Sequence, residues 1–138
     1  MTNNTQTPDL TITPRLVRFR VLEGVGVVTL DAEPVNTLSA PLRAGLWEAF
    51  IRIDANPDIK AVVLIASGRM FSAGVDIREF GKPAKQPSLA QLCDRIESCT
   101  KPVVAAFLWF GAWWGGLNCC WRRITVWRHR TQRSACLK

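Results

Sequence analysis

This 138-residue chain contains no run of about 18 apolar residues, so hydropathy gives no membrane-spanning helix. Residues 1–14 are polar and rich in Thr and Asn. They lack the charged-then-apolar order of a secretory signal, so they read as a disordered leader on a cytoplasmic protein. No two cysteines have Cys-x-x-Cys spacing. Cys119, Cys120 and Cys136, with the sole histidine His129, match no usual zinc pattern, so no metal is expected. Cys93 and Cys99 read as ordinary thiols, because an intracellular setting argues against a disulfide framework. The chain has no internal repeat. Residues 102–138 have no Asp or Glu at all.

That last absence marks a seam. The chain carries a net charge of +7, which by itself would suit nucleic acid or an anionic surface. Residues 1–101, however, hold twelve Lys/Arg against all eleven acids, while 102–138 hold six Lys/Arg unopposed. Five of the six Trp (Trp109, Trp113, Trp114, Trp121, Trp127) fall in the same tail. Two compositions are joined in one chain. Trp121-Arg122-Arg123 and Trp127-Arg128-His129-Arg130 resemble a cationic amphipathic segment. That reads as incidental stickiness, and neither nucleic acid nor membrane is expected as an evolved partner.

Before the seam the pattern is regular. Residues 16–21 alternate apolar and charged, as in a half-buried strand. Glu23-Gly24 turns the chain into a Val-rich run at 25–30, predicting a hairpin. Ser39 is a candidate N-cap. Leu42, Leu46, Phe50 and Ile53 recur at helical spacing, predicting a helix over 40–55 that Asn56-Pro57 ends. Residues 60–66 are a β-branched run of the kind buried on both faces. After a turn at Ser67-Gly68-Arg69, a second helix is expected over 88–98 and another buried strand from Val103 to Ala106. Alternating strands and helices imply right-handed crossovers and a mostly parallel sheet in an α/β fold.

Chemistry is suggested at Phe71-Ser72-Ala73-Gly74-Val75-Asp76. Small residues let a ligand approach the backbone. A backbone N–H exposed there, with a helix starting just after, could hold a developing negative charge. On physics alone a tight turn packed for its own sake remains the simpler reading, since a short Gly turn is weakly informative.

Four blocks together shift that weighting. Pro34-Val35-Asn36-Thr37-Leu38-Ser39, Lys60-Ala61-Val62-Val63-Leu64, Phe71-Ser72-Ala73-Gly74-Val75-Asp76-Ile77 and Thr100-Lys101-Pro102-Val103-Val104-Ala105-Ala106 occur in order. As a set they resemble the crotonase superfamily of enoyl-CoA hydratases and isomerases. The longer phrase from Phe71 to Pro83 is most similar to hydratase halves of multifunctional bacterial enzymes, where a 3-hydroxyacyl-CoA dehydrogenase follows. The resemblance implies a partial ββα spiral over residues 15–106, with acyl-CoA as substrate and no cofactor. It implies that the Val75 N–H is one of two oxyanion donors, each worth roughly 3–4 kcal/mol where such donors have been removed. Ala73 would lie against the adenine, and Gly74 and Asp76 would complete the substrate-binding bend. The intact family is homo-oligomeric, but this chain is not expected to assemble properly.

In the hydratases two glutamates add water across the double bond as base and acid. Both are absent here, since Glu97 is the last acid. Reverse translation offers a reason. Read one nucleotide later, the codons from Trp109 to Gly116 can spell Gly-Leu-Ala-Leu-Gly-Gly-Gly, and Leu108 as CTA yields the preceding His when its T is dropped. From Leu117 the other offset can spell Glu-Leu-Leu-Leu-Ala-Ala-His-Tyr-Arg-Val. It continues to Ala-Ala-Pro-Asp-Ala and, two free positions later, Gly-Leu-Pro-Glu. Both missing glutamates reappear at family positions. The expectation is therefore an out-of-frame tail at 107–138 and a fragment inactive as encoded. The alternatives are a crotonase relative of other chemistry (an isomerase or thioester hydrolase) and a non-enzymatic basic binding protein. Uncovered sheet edges and apolar faces are also expected, which would promote aggregation.

Overall fold

The structure, a computed structural model, describes residues 16–107 and the backbone of a strand at 125–128. The leader at 1–14, the tail cysteines, His129 and the rest of the Trp-rich segment lie outside the described residues.

The chain opens with a hairpin, β1 (Val17–Leu22) and β2 (Val25–Leu30). Glu23 and Gly24 both take positive φ at its turn, +48° and +80°, which matches the right-handed twist of the flanking strands. Helix α1 (Ala40–Ala55) follows, then β3 (Ala61–Ala66), a short helix α2 (Leu89–Glu97) and β4 (Val103–Phe107). Strand β5 (Thr125–Arg128) adds to the sheet beyond residue 106. The order is β1-β2-β3-β4-β5, with β1 antiparallel to β2 and each later neighbour parallel. The predicted mostly parallel α/β sheet is what forms.

Register explains the core. Val17 and Phe19, Leu30 and Val28, Leu64 and Val62, Ala105 and Val103 align on one face, and all are buried. Leu42, Leu46, Phe50 and Ile53 of α1 and Leu92 and Ile96 of α2 join the same core cluster. Burying each large aliphatic or Phe side chain stabilises the fold by about 1.5–3 kcal/mol. The opposite face differs from expectation. Ala61, Val63 and Ile65 of β3 are half-buried, not buried. Two successive right-handed crossovers moving the same way along the sheet place both helices on one side, which leaves the second face without a helix among the described residues.

Helix α2 is capped as its sequence suggests. Ser88 and Gln91 form a reciprocal capping box. Helix α1 is not. Ser39 occupies the N-cap position, but its side chain makes no cap bond. The Ala40 N–H instead donates to Glu79 Oε1 at 2.7 Å, from 39 residues downstream. That carboxylate also suits the positive end of the helix.

Candidate functional site

The loops that follow β2 and β3 meet at the carboxyl ends of the strands, where α/β sheets place their ligands. Asn36 is the centre of that meeting. It is fully buried and holds φ +48°, a left-handed conformation that Asn tolerates better than most residues. Its Oδ1 accepts the Ala32 N–H at 2.7 Å. Its Nδ2 donates to Ser67 O at 3.1 Å and Met70 O at 2.7 Å. One side chain therefore ties the loop after β2 to the loop after β3.

The bend at 72–75 hangs from this anchor. Ser72, 1% exposed, donates its hydroxyl to Asn36 O at 2.8 Å and accepts the Gly74 N–H at 3.1 Å. The Ala73 N–H donates to Val35 O at 2.8 Å. Gly74 has φ +92°, a conformation that a Cβ would strain. Its carbonyl accepts the Leu38 N–H at 2.8 Å, within an isolated parallel bridge between Leu38 and Val75. Gly74 C=O and Val75 N–H share one peptide plane and point oppositely in it. With the carbonyl facing Leu38, the Val75 N–H faces away. Among the described residues it donates to no acceptor. Val75, Ala73 and Gly74 are all half-buried. Three successive amides thus divide into two that are used and one that is free.

The expected helix after Val75 does not form. A single 3₁₀ turn, Ile77–Glu79, stands there instead. Asp76 caps it by accepting the Arg78 N–H at 3.0 Å, and its carboxylate also takes the Arg78 guanidinium at 2.8–3.2 Å. Those Arg78 bonds hold the Asp76 carboxyl down at about 2. Partial burial pushes Glu79 up, but the Ala40 N–H and the Arg43 guanidinium outweigh it and leave Glu79 below its ordinary value. Neither acid is left without a partner.

Arg43 is the residue that sequence reasoning misses. It is 3% exposed. It donates to Leu38 O at 2.6 Å, Pro87 O at 2.8 Å, Lys85 O at 3.2 Å and Glu79 Oε2 at 2.9 Å. It lies three residues before Leu46 and seven before Phe50, so its place on the buried stripe of α1 was the available signal. Its effect is to fold the 79–87 loop back onto the start of α1. An open cleft of about 290 Å³ lies there, lined by Asp76, Arg78, Lys82 and Lys85 among others. No group of three or more His, Cys, Asp or Glu that could hold a metal occurs among the described residues. No helix there is long and apolar enough to cross a membrane.

Comparison with known proteins now bears on this geometry. A family model described as enoyl-CoA hydratase/isomerase matches residues 20–117. The chain is 41% identical over 92 residues to the peroxisomal bifunctional enzyme of Danio rerio, covering 66% of this chain and 13% of that protein. It is 36% identical over 90 residues to a (7aS)-7a-methyl-1,5-dioxo-2,3,5,6,7,7a-hexahydro-1H-indene-carboxyl-CoA hydrolase of Mycobacterium tuberculosis, covering 60% of this chain and 36% of that one. Among solved structures it is similar to an enoyl-CoA hydratase/carnithine racemase from Magnetospirillum magneticum, with a TM-score of 0.62 and 28% identity over 82% of this chain and 49% of that chain. The chain therefore spans less than half the length of each of these relatives.

Proposed function

This chain belongs to the enoyl-CoA hydratase/isomerase family, within the crotonase superfamily, and from that premise we propose that it is the thioester-binding portion of an enoyl-CoA hydratase acting in fatty-acid β-oxidation. The observation that carries the reading is the Val75 N–H, which donates to no acceptor among the described residues while the Ala73 and Gly74 amides before it are both used. A donor that the described residues leave unsatisfied, with its plane fixed, is what an enolate-like oxygen needs, because it costs no reorganisation when charge develops. Ala73 and Gly74 form the backbone surface along which the CoA would lie. Asp76 holds the exit of the bend through Arg78. The lysines of the neighbouring cleft suit the phosphates that any CoA ester carries. Acyl-CoA is the only small molecule this reading requires, with no resident cofactor.

In the same reading the chain does not turn over as encoded. Water addition needs an acid and a base, and the acids nearest Val75, Asp76 and Glu79, are already held by Arg78, Arg43 and the start of α1. Residues 107–138 are then a tail coded out of frame. A cytoplasmic location is part of the proposal, although the zebrafish relative is named as peroxisomal.

Two measurements test this. Nucleotide sequencing across the codons for 106–138 should reveal base slips near Leu108 and near Gly116-Leu117. Clean codons with no family-like stretch in either neighbouring register would overturn the frame argument. A hydration assay on a short trans-2-enoyl-CoA should show no turnover by the 138-residue chain, and measurable turnover would overturn the inactivity claim. One second reading has a specific observation behind it. The mycobacterial relative is named as a hydrolase of a cyclic carboxyl-CoA compound, so a chain restored in frame should also be offered saturated and cyclic acyl-CoA substrates.

A further inference from the structure

The Val75 amide is aimed by groups that no family resemblance assigns. Two peptide planes precede its N–H. The plane between Gly74 and Val75 is fixed on one side by the Leu38 N–H, which donates to Gly74 O. The plane between Ala73 and Gly74 carries the Gly74 N–H, and its partner is the Ser72 hydroxyl. That hydroxyl is not free to turn. Its proton is committed to Asn36 O at 2.8 Å, so a lone pair is left facing Gly74. Asn36 O is itself held in place, because the Asn36 side chain bonds three backbone groups from both flanking loops.

Gly74 is the permissive residue in this arrangement. At φ +92° it has broad freedom to rotate, and rotation about its bonds would turn the Val75 N–H away from its line. Without the Ser72 oxygen, the Gly74 N–H would be a second unsatisfied donor one residue from the first. It would compete for the same anionic oxygen or recruit water. Selecting a single amide therefore requires that its neighbour be occupied.

We infer that Ser72, oriented by Asn36, is a positioning residue that silences the Gly74 amide and fixes the aim of the Val75 amide on a thioester oxygen. The inference rests on the reading of Val75 as an oxyanion donor. Ser72 itself touches no reacting atom. Its effect passes through the backbone of the bend, and it should appear in how a carbonyl is held rather than in whether CoA binds.

The test uses the full 138-residue chain labelled with ¹⁵N, titrated with butyryl-CoA and with S-butyl-CoA, a thioether of similar length that lacks the carbonyl. In the unaltered chain butyryl-CoA should displace the Val75 amide proton downfield, and S-butyl-CoA should not. In Ser72→Ala the displacement at Val75 should be largely lost and a new one should appear at Gly74, while affinity for S-butyl-CoA stays the same. Ser72→Thr, which keeps the hydroxyl, should restore the original pattern. If Ser72→Ala fails to fold, Ser72→Cys keeps the volume and replaces a strong acceptor with a weak one, and the same loss is expected. A Ser72 variant that folds and retains the full Val75 displacement overturns this inference and leaves the donor reading intact. An unaltered chain in which Val75 answers both ligands alike, or neither, removes the donor reading and this inference with it.

Discussion

Two polar networks sit at opposite ends of this sheet, and they differ in what they leave over. At the carboxyl ends of the strands, Asn36, Ser72 and Arg43 bond backbone groups from the loops after β2 and β3 and leave the Val75 amide without an acceptor among the described residues. Helix α1 then runs back along the sheet, and at its far end Asp54 gathers the entry to β4. Its carboxylate accepts from Arg95 at 2.6 Å, from the Thr100 N–H and hydroxyl at 3.2 Å each, and from the Cys99 thiol at 3.4 Å. The Lys101 ammonium bonds the Ile53 and Asn56 carbonyls at the end of the same helix. There the backbone groups are used to close a connection. The leftover among buried described side-chain atoms is Arg95 Nε, a side-chain donor on a partly exposed arginine. Both ends are built from the same bonds. Only one presents a backbone donor whose direction is fixed, and function is read from that difference.

Asn36→Ala should break the first network most severely. It removes three side-chain bonds and leaves the Ala32 N–H and the Ser67 and Met70 carbonyls short of partners. It also puts an ordinary residue at φ +48°. A loss of about 3–5 kcal/mol in urea unfolding is expected, together with displaced amide resonances at 72–75. Arg43→Met comes next. The apolar stem is kept, but the Glu79 carboxylate loses its ion pair and three carbonyls lose a donor. About 2–4 kcal/mol should go, with the 79–87 loop becoming more susceptible to protease. Asp54→Ala tests the far end. Its ion pair is partly solvated, with side chains 25% and 19% exposed, so about 1–2 kcal/mol is expected in the same assay. The resonances at 72–75 should stay where they are. If Asp54→Ala moved them as far as Asn36→Ala does, the two ends would be one coupled unit and the comparison would fail.

The two networks were unequally legible in the sequence. Strands β1 and β2 follow from alternation and a Glu-Gly turn, and α1 from Leu42, Leu46, Phe50 and Ile53, because those signals are local. The bend at 71–76 was visible as a place for close approach, yet its role came from a four-block resemblance. The long-range bonds that aim Val75 link residues 31 to 36 positions apart, such as Asn36 with Ser67 and with Ser72, and no local period encodes such a pairing. The same limit explains the errors. Ser39 takes the cap position, but the bond comes from Glu79, which is remote in sequence. The helix after Val75 gave way to a 3₁₀ turn because Arg78 folds back on Asp76 and the 79–87 loop is drawn to Arg43. The β-branched run in β3 looked doubly covered because a sequence does not show on which side the crossovers fall.

Acid should separate the two ends most gently. The Asp76 carboxyl lies at about 2 when folded, against an ordinary value of about 3.9 unfolded. A depressed carboxyl contributes stability that is complete above the unfolded value and is lost as pH falls toward the folded one. Glu79, also held below its ordinary value, acts in the same direction. Urea midpoints should therefore stay level from pH 7 to about 5 as far as these two groups are concerned, and decline between about pH 4 and pH 2. The effect should be small, because Arg78 is 77% exposed and water and salt screen such a pair. Asp76→Asn keeps an oxygen to accept the Arg78 N–H but has no charge to lose. It should flatten part of that decline and leave the neutral-pH midpoint close to the parent. An acid decline of unchanged depth in Asp76→Asn would show that the Arg78 pair is not what steadies the exit of the Val75 bend.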